Sequence, residues 1–214
     1  MRFAVFVSAF ALLTSAGCGA VVAGQAVPAP VAPSSAAPVS GPESAGFRKV
    51  VAGASRVGGA GTGAPLSQAE RQSWDPAQQT AAVRAIDCAP GSSDPLAGHD
   101  DRSLPLVTCG QTDNTAYVLE PEFLPGSEVT DATAGYDQQR GQWVVNLTFN
   151  AEGTKIWADF TSKNTGQQAA FVVDSQVVFA PNIQVAILDG ITQITDSKFT
   201  EQRARELARK IRGG

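Results

Sequence analysis

The chain has 214 residues, with 16 Lys and Arg against 20 Asp and Glu and a formal net charge of -4. That balance argues against nucleic-acid binding, which needs clustered cations to displace counterions from phosphate. The length suits one ordinary domain with extras, and 21 Gly and 13 Pro point to segments that do not fold.

Residues 1–18 read as an export signal. Arg2 is a thin basic region, residues 3–13 are an apolar run, and Ser15-Ala16-Gly17 sets small residues ahead of Cys18. About eleven apolar residues are short for a permanent spanning helix. Ala16-Gly17-Cys18 is similar to a bacterial lipobox, in which Cys18 would be diacylated and become the new N-terminus. Ser15 stands where such motifs usually carry Leu, and the alternative is plain secretion with Cys18 removed or left free. Either route leads to the extracytoplasmic face of the cell membrane or beyond it. Residues 19–45 are rich in Ala, Pro and Ser. They bury too little apolar surface to offset ordering entropy, so they read as a disordered tether.

Residues 46–115 read as a partly ordered segment. Phe47-Arg48-Lys49-Val50-Val51 is a short strand candidate, and a Gly-rich run follows at 53–63. Ser67 caps a polar helical piece that continues through Ala77 and Ala81 to Ile86. Between Cys88 and Cys109 lies a loop rich in turn signals: Pro90-Gly91, Asp94-Pro95, Gly98-His99 and Leu104-Pro105. With Cys18 assigned to lipid, two of the three cysteines remain, and an exported chain lets Cys88 and Cys109 pair. The competing zinc reading uses His99 between them but lacks the four ligands of a structural site. Reduction is expected to loosen the loop and spare the core.

Residues 116–212 carry that core. Tyr117-Val118-Leu119 reads as a strand, Pro121 and Pro125-Gly126 as a turn, and residues 129–136 as a partner for 142–149. Trp143, Val145, Leu147 and Phe149 alternate with polar or smaller residues, the period of a strand with one buried face. Asn150 is placed as an N-cap, with Glu152 in the first turn. Ile156, Trp157 and Phe160 then share one helical face. Asn164 and Gly166 end that helix, and two strands follow around Asp174-Ser175. Residues 183–188 and 191–194 flank Asp189-Gly190, a pair typical of tight turns. Thr200 caps a last helix whose apolar face is Ala204, Leu207, Ala208 and Ile211. Hairpin-paired strands with two principal helices packed on them make the expected fold α+β, with a mainly antiparallel sheet.

These residues resemble the head subdomain of the first periplasmic domain of SecD. The similarity runs through Phe149-Asn150-Ala151-Glu152-Gly153, Phe160-Thr161, Asn164-Thr165-Gly166, Ala180-Pro181-Asn182-Ile183 and Asp189-Gly190. Upstream, residues 126–132 resemble the family's G-x-x-(I/V)-x-D-A strand, and Phe47-Arg48 with Val50 its F-R-x-V strand. The Cys88 to Cys109 region resembles a cysteine-bearing insertion of some SecD proteins. The resemblance implies a head that contacts emerging polypeptide beside the Sec channel. SecD itself, with SecF, uses the proton gradient to help pull polypeptides out. A spanning helix and the returning segment of that periplasmic domain are not among these 214 residues, so energy coupling is not expected here. Asp174 is followed by Ser175 where the family usually has Gly.

An enzyme reading finds little support in the sequence. His99 is the single histidine, no Gly-x-Ser-x-Gly elbow or phosphate loop appears, and Asp94, Asp100 and Asp101 lack EF-hand spacing. No cofactor and no metal are expected. The expected function is a non-catalytic module that binds unfolded or emerging polypeptide, accessory to Sec-dependent export and in reach of translocon components. The alternative is an envelope lipoprotein that reuses the fold for a small ligand or a structural protein partner. The leader carries its own test: intact mass of the membrane fraction should show a diacylglycerol adduct on Cys18. A soluble mature form beginning elsewhere would reject lipidation.

Overall fold

The computed structural model describes residues 45–55, 65–89, 91–195 and 199–213. The export signal with Cys18, the tether up to residue 44 and most of the Gly-rich run lie outside the described residues.

Among the described residues the fold is α+β, built from two antiparallel sheets and four α-helices. Strand β1 (Ala45–Ser55) is followed by helices α1 (Gln68–Arg71) and α2 (Pro76–Ala85), then by strands β2 (Leu106–Cys109) and β3 (Thr115–Pro125). Next come β4 (Val129–Asp137), β5 (Gln142–Phe149), α3 (Ala151–Lys163), β6 (Ala169–Val173), β7 (Gln176–Phe179), β8 (Ile191–Thr195) and α4 (Glu201–Ile211). Five strands are ordered β2-β3-β1-β6-β7 and three are ordered β4-β5-β8. Strand β1 is central: Phe47 pairs with Leu124 of β3 on one side and Phe171 of β6 on the other. The outer strands of this sheet approach each other, with Gln111 N donating to Val177 O at 2.8 Å and a parallel bridge at Gly110 and Val177. The sheet is therefore curled.

Both sheets and helices α3 and α4 share one core. Phe47, Leu124, Val145, Leu147, Phe171 and Ile194 meet Trp157 from α3 and Leu207 and Ile211 from α4. Helix α3 begins where expected: the Asn150 side chain accepts from Gly153 N at 2.8 Å. Gly153 is required there, because a Cβ would stand 2.8 Å from Glu128 Cβ. Thr200 caps α4 by accepting from Arg203 N at 3.3 Å.

Three local expectations are corrected. Pro121 is not in a turn but inside β3, beside register shifts against β1. A shifted ladder leaves backbone positions unpaired, so the missing N–H is tolerated. The strand at Phe47 runs eleven residues to Ser55, because its second half pairs with Thr115 to Val118. Residues 183–188 form no hairpin with 191–194. Instead Gly190 O accepts from Phe149 N at 3.0 Å, and β8 pairs with β5.

Of the expected core residues, Val145, Leu147, Phe149 and Trp157 are buried, while Trp143, Ile156 and Phe160 are part-buried and pack against the same cluster. The Trp157 ring lies 5.1 Å from Phe47, 5.4 Å from Phe149 and 6.1 Å from Phe160. Trp157→Ala should cost about 3–5 kcal/mol, the range for emptying an aromatic core site. Denaturant unfolding checks this; a variant melting within about a degree or two of the parent would contradict the packing.

Candidate functional site

Residues 181–189 form a strap from β7 to β8. It is tied down at intervals: Ala169 N donates to Pro181 O at 3.2 Å, Gly166 N to Ile183 O at 2.8 Å, and Ile183 N to Gln167 O at 2.8 Å. Further along, Ile187 N donates to Thr161 Oγ1 at 3.0 Å. Thr161 is fully buried on α3 and also donates to Trp157 O at 2.9 Å. Between the ties, residues 184–186 are exposed. An open groove of about 770 Å³ runs along the strap and β8. Buried Leu147, Trp157 and Ile183 lie at its base, and exposed Val185, Leu188 and Ile191 stand along it. Among the described residues β8 has no strand on its outer side, so backbone groups of an edge border this apolar surface.

A second constellation sits under the Cys88–Cys109 insertion. The two cysteines are joined by a disulfide with Cα atoms 5.4 Å apart. Leu96 from the insertion is buried on the five-stranded sheet against Val50, Leu106, Leu119, Val172 and Val177. Arg48, 1% exposed, donates to Asp100 Oδ2 at 2.6 Å and to Leu104 O at 2.8 Å. The single Ser175 hydroxyl proton faces two acceptors, Leu96 O at 2.8 Å and Asp100 Oδ1 at 2.6 Å, and its Oγ accepts from Gly98 N at 3.0 Å. Thr108 donates to Ser175 O. Arg71 forks onto Asp94 at 2.5 and 3.0 Å while its Nε donates to Val107 O at 2.8 Å. Gln72 Nε2 donates to Asp101 O at 2.7 Å.

Burial pulls the Arg48 guanidinium below its ordinary value, against the opposing charges of Asp100 and Glu122. Burial also pushes the Glu122 carboxyl up, offset in part by Arg102 and Arg48. Glu122 fits because position 46 is glycine: a Cβ there would overlap its carboxylate. The Tyr117 hydroxyl is raised by burial and by its hydrogen bond to Asp113.

His99 is exposed at the insertion surface. Among the described residues no group of three or more His, Cys, Asp and Glu converges as a metal-binding set. No helix of the described residues is long and apolar enough to cross a membrane. Sequence reasoning missed the strap and the partners of Arg48 and Arg71. An arginine inside an apolar strand was the available signal, since a buried charge needs a partner.

An α+β head with an open-edged sheet, a strap and a disulfide-closed insertion is what this geometry defines. The family model described as SecDF, P1 head subdomain, matches residues 104–214. The chain belongs to the SecDF P1 head family. It is 44% identical over 146 residues to protein translocase subunit SecD of Mycobacterium tuberculosis (strain ATCC 25618 / H37Rv), covering 67% of this chain and 26% of the relative. To SecD of Dictyoglomus turgidum it is 39% identical over 127 residues, covering 58% and 30%. The crystal structure of SecDF, a translocon-associated membrane protein, from Thermus thermophilus aligns at 25% identity with a TM-score of 0.42, over 78% of this chain and 19% of that one. The chain thus spans about a quarter of the length of the mycobacterial relative.

Glu122 generates a pH prediction. A carboxyl raised in the folded state holds its proton more tightly there than in the unfolded chain. Its stabilising contribution is full below the unfolded value of about 4.3 and is lost as pH rises through the folded value. In Glu122→Gln this loss is absent, so the parent's melting temperature should fall relative to the variant from about pH 4 toward neutrality. Paired melts across that range check it. A parent that gains on the variant would mean that Arg102 and Arg48 outweigh desolvation.

Proposed function

We propose that this chain is a non-catalytic, extracytoplasmic module that binds extended polypeptide as an accessory to Sec-dependent protein export. The observation that carries the reading is the outer edge of β8 beside an apolar groove, with Val185, Leu188 and Ile191 each more than half exposed. An extended chain added to such an edge gains backbone hydrogen bonds of any sequence, while apolar surface takes alternate side chains. Membership in the SecDF P1 head family supports the export context. Translocon components are the proposed neighbours, by analogy with the SecD relatives. A diacylated Cys18 and a tether ending at residue 44, just before β1, would hold the head near the membrane. Weak, sequence-tolerant binding would then be raised in effect by local concentration.

The test is a titration of the full chain with unfolded secretory proteins and with the same proteins folded. Unfolded chains should bind and folded ones should not. Val185→Lys with Leu188→Lys should weaken binding by about tenfold or more, from the loss of two aliphatic contacts. Both side chains are exposed, so the double variant should melt like the parent. Indifference to folding state, with tight binding of a small molecule or one folded partner, would favour the alternative reading.

A further inference from the structure

We infer that the insertion between Cys88 and Cys109 keeps Leu96 in place through two separable ties, one covalent and one polar at Ser175, beside the flanking holds of Arg71 on Asp94, Gln72 on Asp101 and Arg48 on Leu104, and that release of both ties loosens residues 96–100 over a second apolar surface. This inference does not depend on peptide binding at β8. The surface is the curled side of the five-stranded sheet, where Val50, Leu106, Leu119, Val172 and Val177 close around Leu96. Leu96 comes from a loop, so its place in that cluster depends on whatever holds the loop down.

The polar tie accounts for an otherwise unfavourable residue choice. Asp174 and Ser175 have φ of 48° and 64°, the left-handed pair of a tight hairpin turn, where glycine is the relaxed choice. Ser175 is fully buried, and its hydroxyl meets Leu96 O, Gly98 N and Asp100 Oδ1. Asp100 hands the contact on to buried Arg48. A glycine would relax the turn and remove every one of these hydroxyl contacts. Ser175 is therefore a positioning residue for the insertion.

The covalent tie stands apart from this centre. Cys88 and Cys109 are both part-exposed, open to a dithiol reductant. Reduction breaks their sulfur–sulfur bond, places two electrons and two protons on the two cysteine sulfurs, and oxidises the reductant to its own disulfide. None of the Ser175 contacts involves either cysteine, so the sequence-based expectation that reduction alone loosens the loop is revised: the insertion should stay docked after reduction.

Hydrogen exchange of residues 94–101 in the full chain tests this, for the parent and Ser175→Gly, each oxidised and reduced with dithiothreitol. Reduction alone should leave parent exchange within about threefold. The reduced Ser175→Gly chain should exchange about tenfold faster or more, as expected from losing several hydrogen bonds together with the crosslink. It should also enhance the fluorescence of an apolar dye. Amides of β5 serve as the internal control and should keep their protection. Equal exposure of the reduced parent and the reduced variant would remove Ser175 from the mechanism. Full protection of the reduced variant would show that Ser175 holds nothing. Loss of β5 protection alongside would show that the insertion is not separable from the fold.

Discussion

The packing of the Phe47 ring is the constraint on which both sheets depend. It lies 4.9 Å from Phe171 in its own sheet, 5.9 Å from Phe149 in the other sheet and 5.1 Å from Trp157 on α3. Aromatic rings at these separations add to their burial a preference for tilted and edge-on contacts. One side chain therefore sets the position of two sheets against one helix. The approach of α3 is fixed at its other end by Gly153 against Glu128. Once α3 is placed, Thr161 on the same face becomes the tie for the strap, so the groove inherits its position from the core.

The neighbouring residues in β1 set the second side of the molecule. Arg48 follows Phe47 and, by strand alternation, points to the opposite face. Taking a guanidinium out of water is costly unless its donors are matched. Here Asp100 and two backbone carbonyls, of Leu104 and Glu120, receive it. The insertion supplies the carboxylate and one carbonyl, and the sheet supplies the rest. The insertion is thus part of how β1 can be buried on both faces. Gly46, two residues before Arg48, leaves the space that Glu122 fills beside Arg102.

Much of this was legible as local pattern. The alternation of residues 143–149, the Asn150 and Thr200 caps and the apolar faces of α3 and α4 each express themselves within a few residues. The length of β3 was hidden because Pro121 reads as punctuation, whereas a register shift admits it. The partner of β8 was hidden because Asp189-Gly190 suits a hairpin. The choice of β5 instead depends on Phe149, about forty residues away in sequence. Ser175 was visible as a departure from glycine, but its partners lie 75 to 79 residues upstream. No local rule reaches that far.

The strap shows why the groove stays apolar and open. Its inward residues Ile183 and Ile187 enter the core, and its polar ties fall on the same stretch. Val185 and Leu188 remain outside, next to the outer edge of β8. An unpaired edge bordered by aliphatic side chains is usually blunted by charge, a bulge or a covering element, because it invites association. Arg140 and Asp189 border this one but do not cover its aliphatic surface. A permanent partner would be expected to bury a continuous and larger apolar area. For a chain that must pass through, small apolar contact and backbone pairing suffice, since tighter capture would slow release. The proposed role therefore matches the modest size of the apolar surface.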